Sequence, residues 1–203
     1  MRLLAALLPP QDVQDDLAGV VASVPGGREQ LTLVPADRLH LRLANFGKVT
    51  LADSEALRRV VEKELLQWPA MTLRFRGGVA LEPIGDDSAW AKLEGDIEQL
   101  TEITDFILRL VKRLGFLVDR RLPRTLVRVG RITPATTADY LQQMIDRLDD
   151  FTSREWICRD VALLRVSDSG QDGVSTSEVM TRLRLGSQEP DPPTSPSPPD
   201  HPT

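Results

Sequence analysis

Apolar residues in this chain switch their spacing between period 2 and period 3.6 several times, and this switching restricts the fold more than any single motif does. In "RLHLRLANFG" (38–47), Leu39, Leu41 and Leu43 share one side and His40, Arg42 and Ala44 the other, the pattern of a half-buried strand. In "RLPRTLVRVGR" (121–131), Pro123, Thr125, Val127 and Val129 oppose Arg124, Leu126 and Arg128 in the same way. Each strand joins a face to be buried with a face that displays arginine.

Helical spacing fills the intervals. "QDVQDDLAGVVASV" sets Val13, Leu17, Val20, Val21 and Val24 on one face and is stopped by Pro25-Gly26-Gly27. "DSEALRRVVEKELLQW" aligns Leu57, Val60, Val61 and Leu65, with Asp53 as its expected N-cap. A long helix runs from about Ile97 to Leu114 and is closed by Gly115; another runs through Tyr140, Leu141, Met144, Ile145 and Leu148. Further strands are expected at Leu3–Leu8, Leu31–Val34, 71–75, 89–93, "DVALLRV" and "EVMTRLRL". Both halves therefore run helix, Arg-bearing strand, helix, strand, strand. This order predicts an α+β fold of two lobes with antiparallel sheets and a structural pseudo-repeat, with the two Arg-bearing strands as counterparts.

Several classes are excluded. From 186 to 203 the sequence is "GSQEPDPPTSPSPPDHPT", which holds seven of the chain's 15 prolines and no large apolar residue, so 186–203 reads as a disordered tail and 1–185 as the folded unit. A formal charge of −5 gives no whole-molecule attraction to polyanions or to an anionic membrane. Any phosphate site must be a local patch. The lone Cys158 excludes an internal disulfide and a multi-cysteine metal site and suits a reducing, cytoplasmic setting. No stretch approaches the roughly 18 to 20 apolar residues that span a bilayer. The opening "MRLLAALLPP" reads as a first strand ended by prolines rather than a signal peptide.

"MRLLAALLPP", "LVPADRLHLRLANFGKV", "LRFRGGVAL", "LGF", "RTLVRV" and "DVALLRVSDSGQDG" resemble, in order and spacing from Met1 to Leu185, the bacterial 2H phosphoesterases, called 2′-5′ RNA ligases or RNA 2′,3′-cyclic phosphodiesterases. The resemblance implies a bilobal α+β fold in which each lobe brings a His-x-Thr or His-x-Ser strand to a central cleft. It also implies the chemistry: one imidazole takes a proton from the attacking water, the other gives one to the departing ribose oxygen, and the two hydroxyls hold phosphate oxygens. Neither metal nor other cofactor is required, and the expected partners are a phosphorylated small molecule or an RNA end, with the protein a monomer.

Both motifs are altered here. The first is His40-Leu41-Arg42, with arginine in the hydroxyl place. The second aligns as Pro123-Arg124-Thr125-Leu126-Val127-Arg128, with Pro123 in the histidine place; a one-residue shift puts Arg124 there instead. The chain has two histidines, His40 and His201, the latter in the Pro-rich tail. Loss of one acid–base group costs ~10²- to 10⁴-fold in rate, and arginine, protonated up to a pKa of about 12, cannot replace it. The expected site is thus degenerate: His40 with residual catalytic capacity at best, Thr125 as its hydroxyl partner, and Arg42, Arg124, Arg128 and Phe46 as substrate-binding residues, the arginines on phosphate and Phe46 stacking a base. Arg120, Arg121 and Arg131 add charge at the same edge. Arg42 suits a phosphate or a salt bridge plugging the cleft equally well.

Other motifs are weaker. "GGVALEPIGDD" (77–87) lacks phosphate-loop spacing, the family resemblance implies a hairpin connection there, and Asp86 and Asp87 read as turn residues. "SDSGQDG" (167–173) lacks the glutamate a calcium loop needs, leaving Asp168 and Asp172 in a turn. Trp68, Trp90 and Trp156 read as core. Three functions compete: an inactive family member that binds phosphorylated ligands, a weak cyclic phosphodiesterase using His40, and a non-catalytic interaction scaffold.

Overall fold

Leu3, Ala5 and Leu7 of the first strand, β1 (Arg2–Leu7), join the main core, while Leu4 and Ala6 join a second, smaller apolar cluster. A strand buried on both faces belongs in the middle of a sheet, and β1 lies there. The computed structural model describes residues 1–80, 87–116, 125–167 and 176–186.

After β1 come α1 (Gln11–Ala22), the short α2 (Gly27–Gln30), β2 (Leu31–Leu33), a 3₁₀ turn (Ala36–Arg38), β3 (Leu41–Lys48), α3 (Leu51–Leu65) and β4 (Met71–Ala80). The second half holds β5 (Ser88–Gly95), α4 (Ile97–Arg113), β6 (Leu126–Ile132), α5 (Ala138–Asp150), β7 (Trp156–Cys158), β8 (Asp160–Ser167) and β9 (Thr176–Arg184). They build two sheets, ordered β3-β1-β8-β9 and β2-β6-β5-β4-β7, whose named strands all pair antiparallel. Helix α4 packs on β3 and α3 on β9, while α5 lies across β4 and touches α1. This is the expected α+β architecture, with one Arg-bearing strand in each sheet. Strands β4 and β5 pair antiparallel, as the family resemblance implies, and residues 81–86 of their connection lie outside the described residues.

Local chemistry sets the element ends. Asp53 is not the N-cap of α3: Thr50 is, because its hydroxyl accepts from Asp53 N at 3.1 Å while the Asp53 carboxylate accepts from Thr50 N at 3.2 Å. The two form a capping box, with Asp53 at the third helical position. Gly115, past the end of α4, has φ +86°, a conformation glycine adopts without penalty. The three residues of β7 are all apolar in sequence, so no polar–apolar alternation marks the strand; it pairs with β4, Met71 opposite Cys158, and buries Trp156 and Cys158 while Ile157 is exposed. Gly186, expected in the tail, bridges to Pro69; residues 187–203 lie outside the described residues. No helix among the described residues is long and apolar enough to cross a membrane.

Candidate functional site: an arginine-lined cavity beside His40

Two β-bulges aim the key side chains. On β3, Arg42 pairs with Ala6 and Ala44 with Ala5, so Leu43 is an extra residue that shifts the alternation. Leu41, Leu43, Ala44 and Phe46 consequently all enter the core, and Arg42 and Asn45 line the cleft. Ala44 therefore does not share the side of His40 and Arg42, as strict alternation predicts. On β6, Trp90 of β5 pairs with Arg128 and Ala89 with Gly130, leaving Val129 as the extra residue. Val127 and Val129 are buried at 0% and 2% exposure, and Arg128 turns to the cleft.

Arg42 and Arg128, from different sheets, meet at one cavity of about 200 Å³. Arg2 of β1 and Arg38 of the 3₁₀ turn line it too, with His40, Asn45 and Ser177. No Asp or Glu is among its described lining residues. The Arg128 guanidinium lies 5.1 Å from the centroid of the Trp90 ring, a cation–π contact that fixes its position. Trp90 is buried, as expected, but stands under Arg128 rather than in the main core. Sequence reasoning missed this role because it depends on cross-strand register.

His40 sits just before β3. Its Nδ1 lies 2.7 Å from the Arg38 carbonyl oxygen. Burial lowers its pKa from 6.5 to about 4; the backbone contact opposes this and the Arg42 and Arg128 charges add to it. The ring is neutral at pH 7. A carbonyl only accepts, so Nδ1 carries the proton and Nε2 keeps its lone pair. The buried Gln14 of α1 donates from Nε2 to the Leu39 carbonyl at 2.8 Å and ties this segment down, a positioning contact no sequence signal marked.

A larger cavity, about 470 Å³, shares His40 and Ser177 with the first. Leu8, Pro9, Pro10, Trp156, Ile157 and Val179 give it apolar walls. Cys158 also lines it, with its thiol pushed up to about 12 by burial, so it stays protonated and unreactive. Arg182 is ion-paired with Asp160 at 3.0 Å.

Of the other expected site residues, Phe46 and Thr125 lie elsewhere. Phe46 is 3% exposed within the main core, so its ring has no face for a base. Thr125 lines neither cavity; its carbonyl accepts from Leu93 N at 2.9 Å. Pro123 and Arg124, with Arg120, Arg121, Asp86, Asp168 and Asp172, lie outside the described residues. Arg131 is exposed on β6. No cluster of three or more His, Cys, Asp or Glu able to hold a metal ion occurs among the described residues. Chemically, the site offers converging guanidinium groups and one neutral imidazole able to accept a proton.

No family model matches the sequence, and no curated protein matches it. Solved structures do share its fold. TT0787 of Thermus thermophilus is 20% identical with a TM-score of 0.68, over 93% of this chain and 100% of that one. E. coli LigT complexed with 3′-AMP is 18% identical with a TM-score of 0.72, over 91% of this chain and 97% of that one. E. coli LigT complexed with ATP is 17% identical with a TM-score of 0.65, over 91% and 98%. At these identities the likeness is one of fold: the chain has the LigT-like, 2H phosphoesterase-like architecture.

Proposed function

We propose that this chain is a degenerate 2H phosphoesterase that binds a phosphorylated small molecule, a nucleotide or an RNA end, without efficient turnover. The observation that carries the reading is the convergence of Arg2, Arg38, Arg42 and Arg128 on one cavity beside His40. Guanidinium forks match phosphate oxygens in geometry as well as charge. The larger cavity, which shares His40 and Ser177 with the first, has room for the organic part of such a ligand, with apolar wall from Pro9, Pro10, Trp156 and Ile157 beside the polar Gln14, Asp37 and Asp160. Like-folded E. coli LigT has been solved with 3′-AMP, phosphate and ATP, which supports the ligand class.

Weak or absent turnover follows from acid–base supply. In-line opening of a cyclic phosphate needs a base and an acid on opposite sides of phosphorus. Neutral His40 can serve as the base, and its only fellow histidine, His201, lies in the Pro-rich terminal segment. A buried, unreactive single thiol suits the cytoplasm.

Calorimetric titration with 3′-AMP at low salt tests the reading. Saturable binding is expected, weakened at least ~10-fold by Arg42→Met or Arg128→Met; absence of binding refutes it. A residual phosphodiesterase remains a second reading because Nε2 of His40 is free to accept a proton. It requires turnover of a nucleoside 2′,3′-cyclic phosphate that His40→Ala abolishes, and equal rates in both proteins reject it.

A further inference from the structure

We propose that the arginine cavity selects its oxyanion by the proton the anion carries: it takes phosphate, whose P–OH donates a hydrogen bond to Nε2 of His40, in preference to sulfate, which has the same tetrahedral shape and no proton to give. This preference rests on the phosphate-binding reading above. The wall of the cavity is poor in acceptors. Arg2, Arg38, Arg42 and Arg128 line it, and whatever else their guanidinium groups touch, none of them can accept a hydrogen bond. Asn45 has committed its acceptor, because its Oδ1 takes the Gly47 N–H at 3.0 Å, and its amide has only N–H groups left to offer. Ser177 can turn its hydroxyl to donate or to accept, so it suits either anion. No Asp or Glu is among the described lining residues.

His40 supplies the one fixed acceptor among the described lining side chains. Its Nδ1 meets the Arg38 carbonyl oxygen at 2.7 Å and so carries the proton, which leaves the lone pair on Nε2. The Gln14 side chain, bonded to the Leu39 carbonyl at 2.8 Å, holds the chain just before the ring. Burial and the guanidinium charges of Arg42 and Arg128 oppose a second proton, and Arg2 and Arg38 border the same cavity. The carboxylates near the ring are Asp37 and Asp160 of the larger cavity, which His40 also lines; Asp160 is ion-paired with Arg182, and Arg159 adds a further positive charge there. An anion without a proton must therefore set a bare oxygen against a lone pair or draw a proton from solvent onto the ring. HPO4²⁻ meets the same nitrogen with an O–H and satisfies it. A site matched to a ligand O–H discriminates against the analogue that lacks it, because the site's own polar group is left unpaired. By the same rule a phosphomonoester that keeps one proton is a better ligand than a phosphodiester, which has none.

Calorimetric titration of the full chain with inorganic phosphate and with sulfate, at pH 8 and matched ionic strength, tests this; phosphate is then mainly HPO4²⁻, so the two anions carry equal charge. Wild type is expected to bind phosphate at least ~10-fold tighter than sulfate, a gap of about 1.4 kcal/mol. In His40→Gln the ratio is expected to fall to about twofold, since an amide can turn either its oxygen or its N–H groups to the anion. Sulfate gains no proton between pH 8 and pH 5, whereas a His40 ring beside a bound anion does, so wild-type affinity for sulfate is expected to rise about tenfold over that interval. Equal wild-type affinities at pH 8 overturn the inference and leave phosphate binding standing. An unchanged ratio in folded His40→Gln, or a sulfate affinity that ignores pH, overturns the role of His40. Binding of neither anion overturns the phosphate-binding reading and the inference with it. The two wild-type measurements decide both points even if the variant does not fold.

Discussion

At the scale of single residues, His40 departs furthest from its ordinary chemistry. Burial and two neighbouring arginines depress its pKa from 6.5 to about 4. The unfolded chain then binds a proton at a higher pH than the folded one does, so stability is fully present above about pH 6.5 and falls as the pH drops towards 4. Wild type is expected to lose more stability between pH 7 and pH 5 than His40→Gln, read as the shift in urea midpoint. Equal shifts would show that His40 is not responsible. Sequence alone placed His40 on an arginine-bearing strand, because alternation over Leu39, Leu41 and Leu43 is visible in the letters. Its protonation state was not legible, since it depends on a carbonyl two residues back and on Arg128, eighty-eight positions away.

At the scale of elements, bulges and caps explain where pattern reading succeeds and where it slips. Strict alternation places Ala44 with Arg42, and the extra residue at Leu43 reverses that and sends Asn45 to the cavity instead. Nothing in "RLHLRLANFG" announces the bulge; it arises from pairing with β1. The same shift puts Phe46 in the core. For α3, an acidic residue near the start was legible, and the reciprocal partner Thr50 was not assigned. Thr50→Ala is expected to destabilise the protein by about 1 kcal/mol in urea unfolding, from loss of the N-cap. At the β5–α4 junction, Gly95 has φ +115°, and a Cβ there would collide with the Thr72 carbonyl oxygen. That backbone carbonyl also accepts from Asp96 N at 3.0 Å, so it cannot easily give way. Gly95→Ala is expected to cost about 2 kcal/mol or more, and an unchanged unfolding midpoint would show that the junction relaxes freely.

At the scale of the whole molecule, a chain of net charge −5 concentrates four half-buried arginines at one half-open cavity. Binding there is a local effect, partly shielded from salt by burial. Affinity for 3′-AMP is expected to fall only modestly between low and physiological salt. Ile157→Asp, in the apolar wall of the larger cavity, should weaken 3′-AMP binding and spare inorganic phosphate. Both anions weakening alike would place the organic group elsewhere. The two-sheet α+β architecture was legible from the order of elements, because each period change marks a strand or a helix. Convergence of Arg2 and Arg38 with Arg42 and Arg128 was not, since their meeting requires the packing of both sheets. Having only two histidines makes this site unusually simple to observe. Proton NMR of the imidazole Cε1–H signals during titration with inorganic phosphate follows His40 and His201 separately. The His40 signal is expected to shift saturably and its pKa to rise from about 4 as the anion offsets the arginine charges, while the His201 signal stays in place. A His40 signal that ignores phosphate, or moves only in parallel with that of His201, would contradict phosphate binding in the cavity.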